Sequence, residues 1–172
     1  MKVTINSNSV SLAGEFAVLS QLHLRGFDGS LTLGNTKGVD ILVSSPVTGK
    51  LSRLEVKTSY KNKSSHSKLF GHTMPWVMGV KHEDVIDNNL FFCFVNIVQS
   101  NNSFEFFIVP NSVVSSYVKE QHQYWLGRDE GTHPQTETTM RTFRIGLDNN
   151  QSAYNIKTPL ANVYRDKWSL LA

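Results

Sequence analysis

An α/β domain built around a mixed β-sheet and flanked by helices is the fold class this sequence predicts. Stretches of helical period alternate with stretches of strand period, and the strand-like stretches are rich in Val, Ile and Phe and come in hairpin pairs. The chain has 172 residues, 40% of them hydrophobic, with ten Phe. That suits one domain over residues 1–172 with a hydrophobic core of its own. No apolar run approaches the ~20 residues a membrane span needs. The opening MKVTINSNSV lacks the apolar core of a secretory signal, and the single Cys93, within FFCFV, reads as a buried thiol rather than a nucleophile or half of a disulfide. A cytoplasmic location is the expectation.

Taken in order, Leu12 to Arg25 forms an amphipathic helix, with Leu12, Phe16, Leu19, Leu22 and His23 at spacings of three and four and Gly26 as the stop. Glu15 falls on or beside the apolar face, either as a rim acid with its carboxylate turned outward or as an acid held over a site. Phe27 to Leu33 is a short strand, and GNTKG a loop. Val39 to Ser44 and Leu51 to Thr58 are a hairpin turned at Pro46 and Gly49. Leu90 to Val98 and Phe104 to Val109 form another, joined by QSNNS and ended by Pro110. Asn111 caps a second helix, where Val114, Tyr117, Val118, Gln121 and Trp125 share one stripe. Met140 to Leu147 is a late strand. Thr158-Pro159 opens a last helix through Trp168, inside a C-terminal elaboration of roughly 127–172.

The first hairpin poses a chemical question. Centring its turn between Val47 and Thr48 sets Ile41 opposite Leu54, Val39 opposite Val56, and Asp40 opposite Glu55. Like charges facing across a sheet destabilise it. By the period of two, Lys57 shares the face of the two acids, while Val39, Ile41, Leu54 and Val56 form an apolar face. Opposed side chains have Cβ atoms roughly 4.5–5.5 Å apart, so two carboxylates there can share one divalent cation. Hard oxygen ligands favour magnesium or manganese over zinc. A surface salt-bridge ladder is the plainer interpretation of the same residues.

Between Val56 and His82 the chain carries five Lys, three His and no acid. Such a run is either a solvated loop or a surface that meets phosphates. Within it Lys61, Lys63 and Lys68 are candidates for phosphate contacts, and Tyr60 for stacking on unpaired bases. Phe70 and Trp76 serve core packing at least as well. His66, His72 and His82 are loosely spaced and, with one cysteine, make no standard zinc pattern.

Glu15 in AGEFAVLSQL, Asp40 in GVDILV, and Glu55 and Lys57 in LEVK together resemble the PD-(D/E)XK nuclease superfamily, the restriction-endonuclease-like fold that includes archaeal Holliday junction resolvases. The likeness covers a core of residues 12–58. It implies a restriction-endonuclease-like core, a central mixed sheet flanked by helices. It also implies that Asp40, Glu55 and the Val56 carbonyl bind magnesium, with manganese as the alternative, that Lys57 positions a water, and that Glu15 supports the metal or a second one. Val39 stands where the motif has its name-giving proline, which many members lack. The implied activity is a magnesium-dependent deoxyribonuclease acting on branched or duplex DNA, by analogy as a homodimer. The alternative is a nucleic-acid-binding or interaction domain that keeps the nuclease fold without cleaving. The chain after Thr58 matches no subfamily.

Overall fold

The structure is a computed structural model that describes residues 5–32, 38–60, 65–67, 70–85, 87–127, 136–148 and 156–172. In chain order its elements are α1 (Ser7–Leu24), β1 (Asp28–Leu31), β2 (Ile41–Ser44), β3 (Leu51–Ser59), β4 (Ser65–Ser67) and β5 (Gly71–Gly79), then a 3-10 turn at Val80–His82. There follow β6 (Leu90–Val98), β7 (Ser103–Pro110), α2 (Asn111–Leu126), β8 (Met140–Gly146), α3 (Ala161–Tyr164) and a 3-10 turn at Trp168–Leu171. The chain forms two compact units. The first comprises Met1–Lys63, Asn88–Pro110 and Val163–Ala172, the second Ser64–Asp87 and Asn111–Asn162.

The first unit is a five-stranded sheet in the order β1-β2-β3-β6-β7. β3 and β6 run parallel and the other neighbours antiparallel, so the sheet is mixed, as expected. Leu54 and Val56 of β3, Cys93, Val95 and Ile97 of β6, and Phe106 and Ile108 of β7 line one face. Val18 and Leu22 of α1 pack into the same cluster, so the helix lies on that face. The opposite face holds the buried Phe92, Phe94, Phe107 and Val109. α1 starts earlier than its apolar spacing indicated, because the Asn6 side chain accepts from the Ser9 N–H at 2.8 Å and caps the polar opening turn. It stops as expected, at Gly26 with φ +78°. Cys93 is fully buried, and burial pushes its thiol far above the ordinary range, so it is a packing residue.

The second unit is a three-stranded antiparallel sheet, β4-β5-β8. The structure corrects the sequence here: Gly71–Gly79, part of the basic run, is a full strand rather than a loop. Pro75 sits inside it opposite Arg144. β4 pairs only with Gly71 to Thr73, so at Pro75 β5 has one described neighbour, and an edge strand tolerates a missing N–H. Trp76, Phe143 and Ile145 are buried with Val114, Tyr117 and Val118 of α2. The stripe expected on α2 is therefore its packed face. Asn111 is not the cap but the first helical residue, and its amide donates to the Val85 carbonyl. The expected last helix shortens to α3. Asp166, at φ +51°, interrupts it before the closing 3-10 turn.

Candidate functional site

The first hairpin has the register its turn residues indicated: Ile41 opposite Leu54, Leu42 opposite Arg53, Val43 opposite Ser52 and Ser44 opposite Leu51. The ladder then stops one residue short of the expected Asp40–Glu55 pair. The Ser45 N–H donates to Lys50 O at 2.9 Å, so hydrogen-bonded pairs alternate through Val43–Ser52 and Ile41–Leu54. The next would join Val39 to Val56. Instead β2 stays with the β1 side. The Thr32 hydroxyl donates to Val39 O at 2.7 Å and the Thr32 N–H to Asp40 O at 2.9 Å. The Asp40 N–H donates to Leu54 O at 2.8 Å.

This parting leaves the Val56 N–H without its backbone acceptor, and the Asp40 carboxylate takes that place, Oδ2 lying 2.6 Å from Val56 N. Asp40 thus sits in the opening between β2 and β3. The Arg53 N–H points to Asn89 O on the β6 side, so by alternation the N–H and C=O of Val56 both point to the β2 side, where Asp40 stands.

Glu55 and Lys57 rise from the face opposite Leu54 and Val56, beside the stacked rings of Phe92 and Phe94, whose centroids are 5.7 Å apart. Their side chains form an ion pair at 2.6 Å. The Glu55 side chain is 4% exposed, whereas that of Lys57 is 28% exposed. A buried carboxylate needs such a partner. Gly38, at φ +78°, lies against the same carboxylate: a Cβ built on it would stand 3.4 Å from Glu55 Oε2. Glu15 approaches from α1. Its carboxyl is held above the ordinary range, first by partial burial and then by the Asp40 charge, with Lys57 acting in the opposite sense. Glu15 therefore senses both residues across the opening.

Of the residues singled out in the sequence, Glu15, Asp40, Glu55, Val56 and Lys57 gather around the point where β2 leaves β3. Tyr60, just past β3, is half-buried with its ring against the core cluster. Its carbonyl accepts from the Gln99 amide at 3.0 Å. Lys61, Lys63 and Lys68 lie outside the described residues. Three neighbours of the site carry no motif in the sequence: Gly14, Thr32 and Gly38. The glycine within the helical AGEF run was a readable signal, since an interior helical glycine usually has a packing reason.

Among the described residues, no group of three or more His, Cys, Asp or Glu side chains is placed to hold a metal ion. Glu15, Asp40 and Glu55 therefore do not stand together as one such three-carboxylate group, and the donors expected to hold the ion reduce to two carboxylates, of Asp40 and Glu55, and the Val56 carbonyl. All are hard oxygen donors: Asp40 and Val56 meet at the strand opening, Glu55 stands in its pair with Lys57, and the charge of Asp40 opposes that of Glu15. A hard divalent cation fits that chemistry.

No helix among the described residues is long and apolar enough to cross a membrane. No family model matches the chain, and no curated protein matches it. Among solved structures, the chain is similar to a bacterial homing endonuclease, I-Ssp6803I, at 17% identity and a TM-score of 0.54, over 97% of this chain and 91% of that one. The likeness is one of fold: a mixed α/β architecture similar to that of a nuclease.

Proposed function

We propose that this chain is a metal-dependent endonuclease of the PD-(D/E)XK type that hydrolyses phosphodiester bonds in DNA, in the cytoplasm and as a homodimer. The observation that carries the proposal is the Asp40 carboxylate set in the opening between β2 and β3, beside the Glu55–Lys57 pair and within the electrostatic reach of Glu15. The fold likeness to a homing endonuclease supports the same reading.

Asp40, Glu55 and the Val56 carbonyl would hold magnesium or manganese. When bound, that ion would lower the pKa of a water and offset phosphate charge. The remaining work falls to the chain. Lys57, the more exposed partner of its ion pair, turns its ammonium toward a water or a phosphate oxygen. Glu15, whose carboxyl feels the charges of Asp40 and Lys57, would support that ion or a second one from outside the Asp40–Glu55 pair. Phe92 and Phe94 wall the Glu55 side and limit water there. Lys61, Lys63 and Lys68 would meet the DNA backbone, with Tyr60 beside them.

The test is a cleavage panel of branched, duplex and single-stranded DNA with magnesium, manganese or EDTA, run on wild type and Lys57→Ala. Metal-dependent cutting that the variant loses is the expected result. DNA that is bound but never cut by wild type would instead favour a non-catalytic binding domain in which the Glu55–Lys57 pair is structural.

A further inference from the structure

The residues immediately beside two site positions touch with no room to spare. Gly14 precedes Glu15 on α1, and Thr58 follows Lys57 on β3. A Cβ built on Gly14 would stand 2.9 Å from both Cβ and Cγ2 of Thr58, and closer still to its Oγ1. Real Cβ contacts almost never fall below 3.0 Å. Glycine is the only residue that lets α1 come this near. A glycine inside a helix costs about 1 kcal/mol relative to alanine, yet Gly14 is buried, in line with the fully packed Val18 and Leu22 that follow it on the same face. The Thr58 hydroxyl is buried without a hydrogen-bond partner, so the contact is one of shape.

We propose that the Gly14–Thr58 contact sets the height of α1 over β3 and so fixes Glu15 at its working distance from Asp40 and Lys57. Gly14 and Thr58 are then positioning residues. This proposal rests on the nuclease reading for its kinetic consequence and on geometry alone for its structural one. Restoring ordinary van der Waals clearance to a Cβ at residue 14 needs a displacement of roughly 0.5 Å or more. Core packing transmits such strain rather than absorbing it, so Glu15, the next residue, moves with the helix.

The experiment compares wild type, Gly14→Ala, and the double variant Gly14→Ala/Thr58→Gly, by crystal structure and by steady-state cleavage. In Gly14→Ala the Glu15–Lys57 Cα separation should widen. Its kcat should fall up to about 100-fold, as misplacements near 1 Å can cause, with little change in KM for DNA. The double variant removes the opposing side chain and should return both the separation and kcat toward wild type. A Gly14→Ala enzyme with unchanged separation overturns the proposal. So does a double variant that regains the separation but not kcat. Should Gly14→Ala not fold, the double variant decides alone: wild-type separation upholds the contact, and an altered one refutes it. If wild type cuts no DNA, the nuclease reading fails while the separations still decide the contact.

Discussion

Removing the Asp40 side chain should cost more than removing its charge. In Asp40→Ala the Val56 N–H loses the acceptor that stands 2.6 Å away, in a partly buried opening where no β2 carbonyl replaces it. An unpaired N–H of that kind costs about 1–3 kcal/mol. For a chain of this length each kcal/mol shifts Tm by about 2–4 °C, so Asp40→Ala should melt roughly 2–12 °C below wild type. Asp40→Asn keeps an oxygen that can accept from Val56. It weakens that bond by removing the charge, but it also relieves the repulsion that raises the Glu15 carboxyl. The two effects oppose each other, and metal-free Asp40→Asn should melt within about 4 °C of wild type. Both variants should lose cleavage. The assay is thermal unfolding by circular dichroism in EDTA, with a nuclease assay alongside. If Asp40→Ala melts no lower than wild type, Asp40 does not hold the parted strands, and its place between β2 and β3 is incidental.

Other consequences are open to simpler tests. Glu15 has a folded-state pKa above its ordinary 4.5, so the folded state binds its proton more tightly and the group's contribution weakens as pH rises through that window. Glu15→Gln should therefore gain stability over wild type above that window and lose the advantage below pH 4.5, as a pH series of melts would reveal. Arg141 is buried and pairs with both Glu83 and Glu137. Arg141→Ala strands the largely buried Glu83 carboxylate and should destabilise by about 3–5 kcal/mol in urea unfolding. An alanine variant of Lys61, Lys63 and Lys68 should bind duplex DNA with a salt slope shallower by about 0.9 for each phosphate it no longer neutralises. An unchanged slope would leave the basic run a solvated surface.

Much of the fold was legible because local chemistry and long-range pairing agree there. Pro46 and Gly49 set the turn, the apolar period set the inward face, and the register of Ile41 with Leu54 followed. The same residues could not reveal that the ladder ends at Ile41, since that depends on Thr32, from a different part of the chain, drawing Val39 and Asp40 away. The acids therefore meet as a carboxylate in a strand opening and a buried ion pair, not as a facing pair. β5 was hidden for a different reason. It lies in a basic run, contains Pro75, and pairs with β8 across the long stretch of chain between Gly79 and Met140. The α1 boundary was missed because its first turns are polar, held by the Asn6 cap rather than by burial. Spacing put Leu12, Phe16 and His23 on the inward face of α1, whereas all three are exposed and the packed line runs through Gly14, Val18 and Leu22, next to Glu15. The approach of Glu15 to Asp40 and Lys57 required the close α1–β3 contact at Gly14.

Direct titration of the protein with manganese, followed by electron paramagnetic resonance of the free ion, bears most closely on the claim that Asp40 and Glu55 form a metal site. Wild type should bind manganese, magnesium should displace it, and Asp40→Asn and Glu55→Gln should each bind far more weakly while remaining folded. A folded wild type that binds no manganese, or variants that bind it as tightly as wild type, would contradict the site.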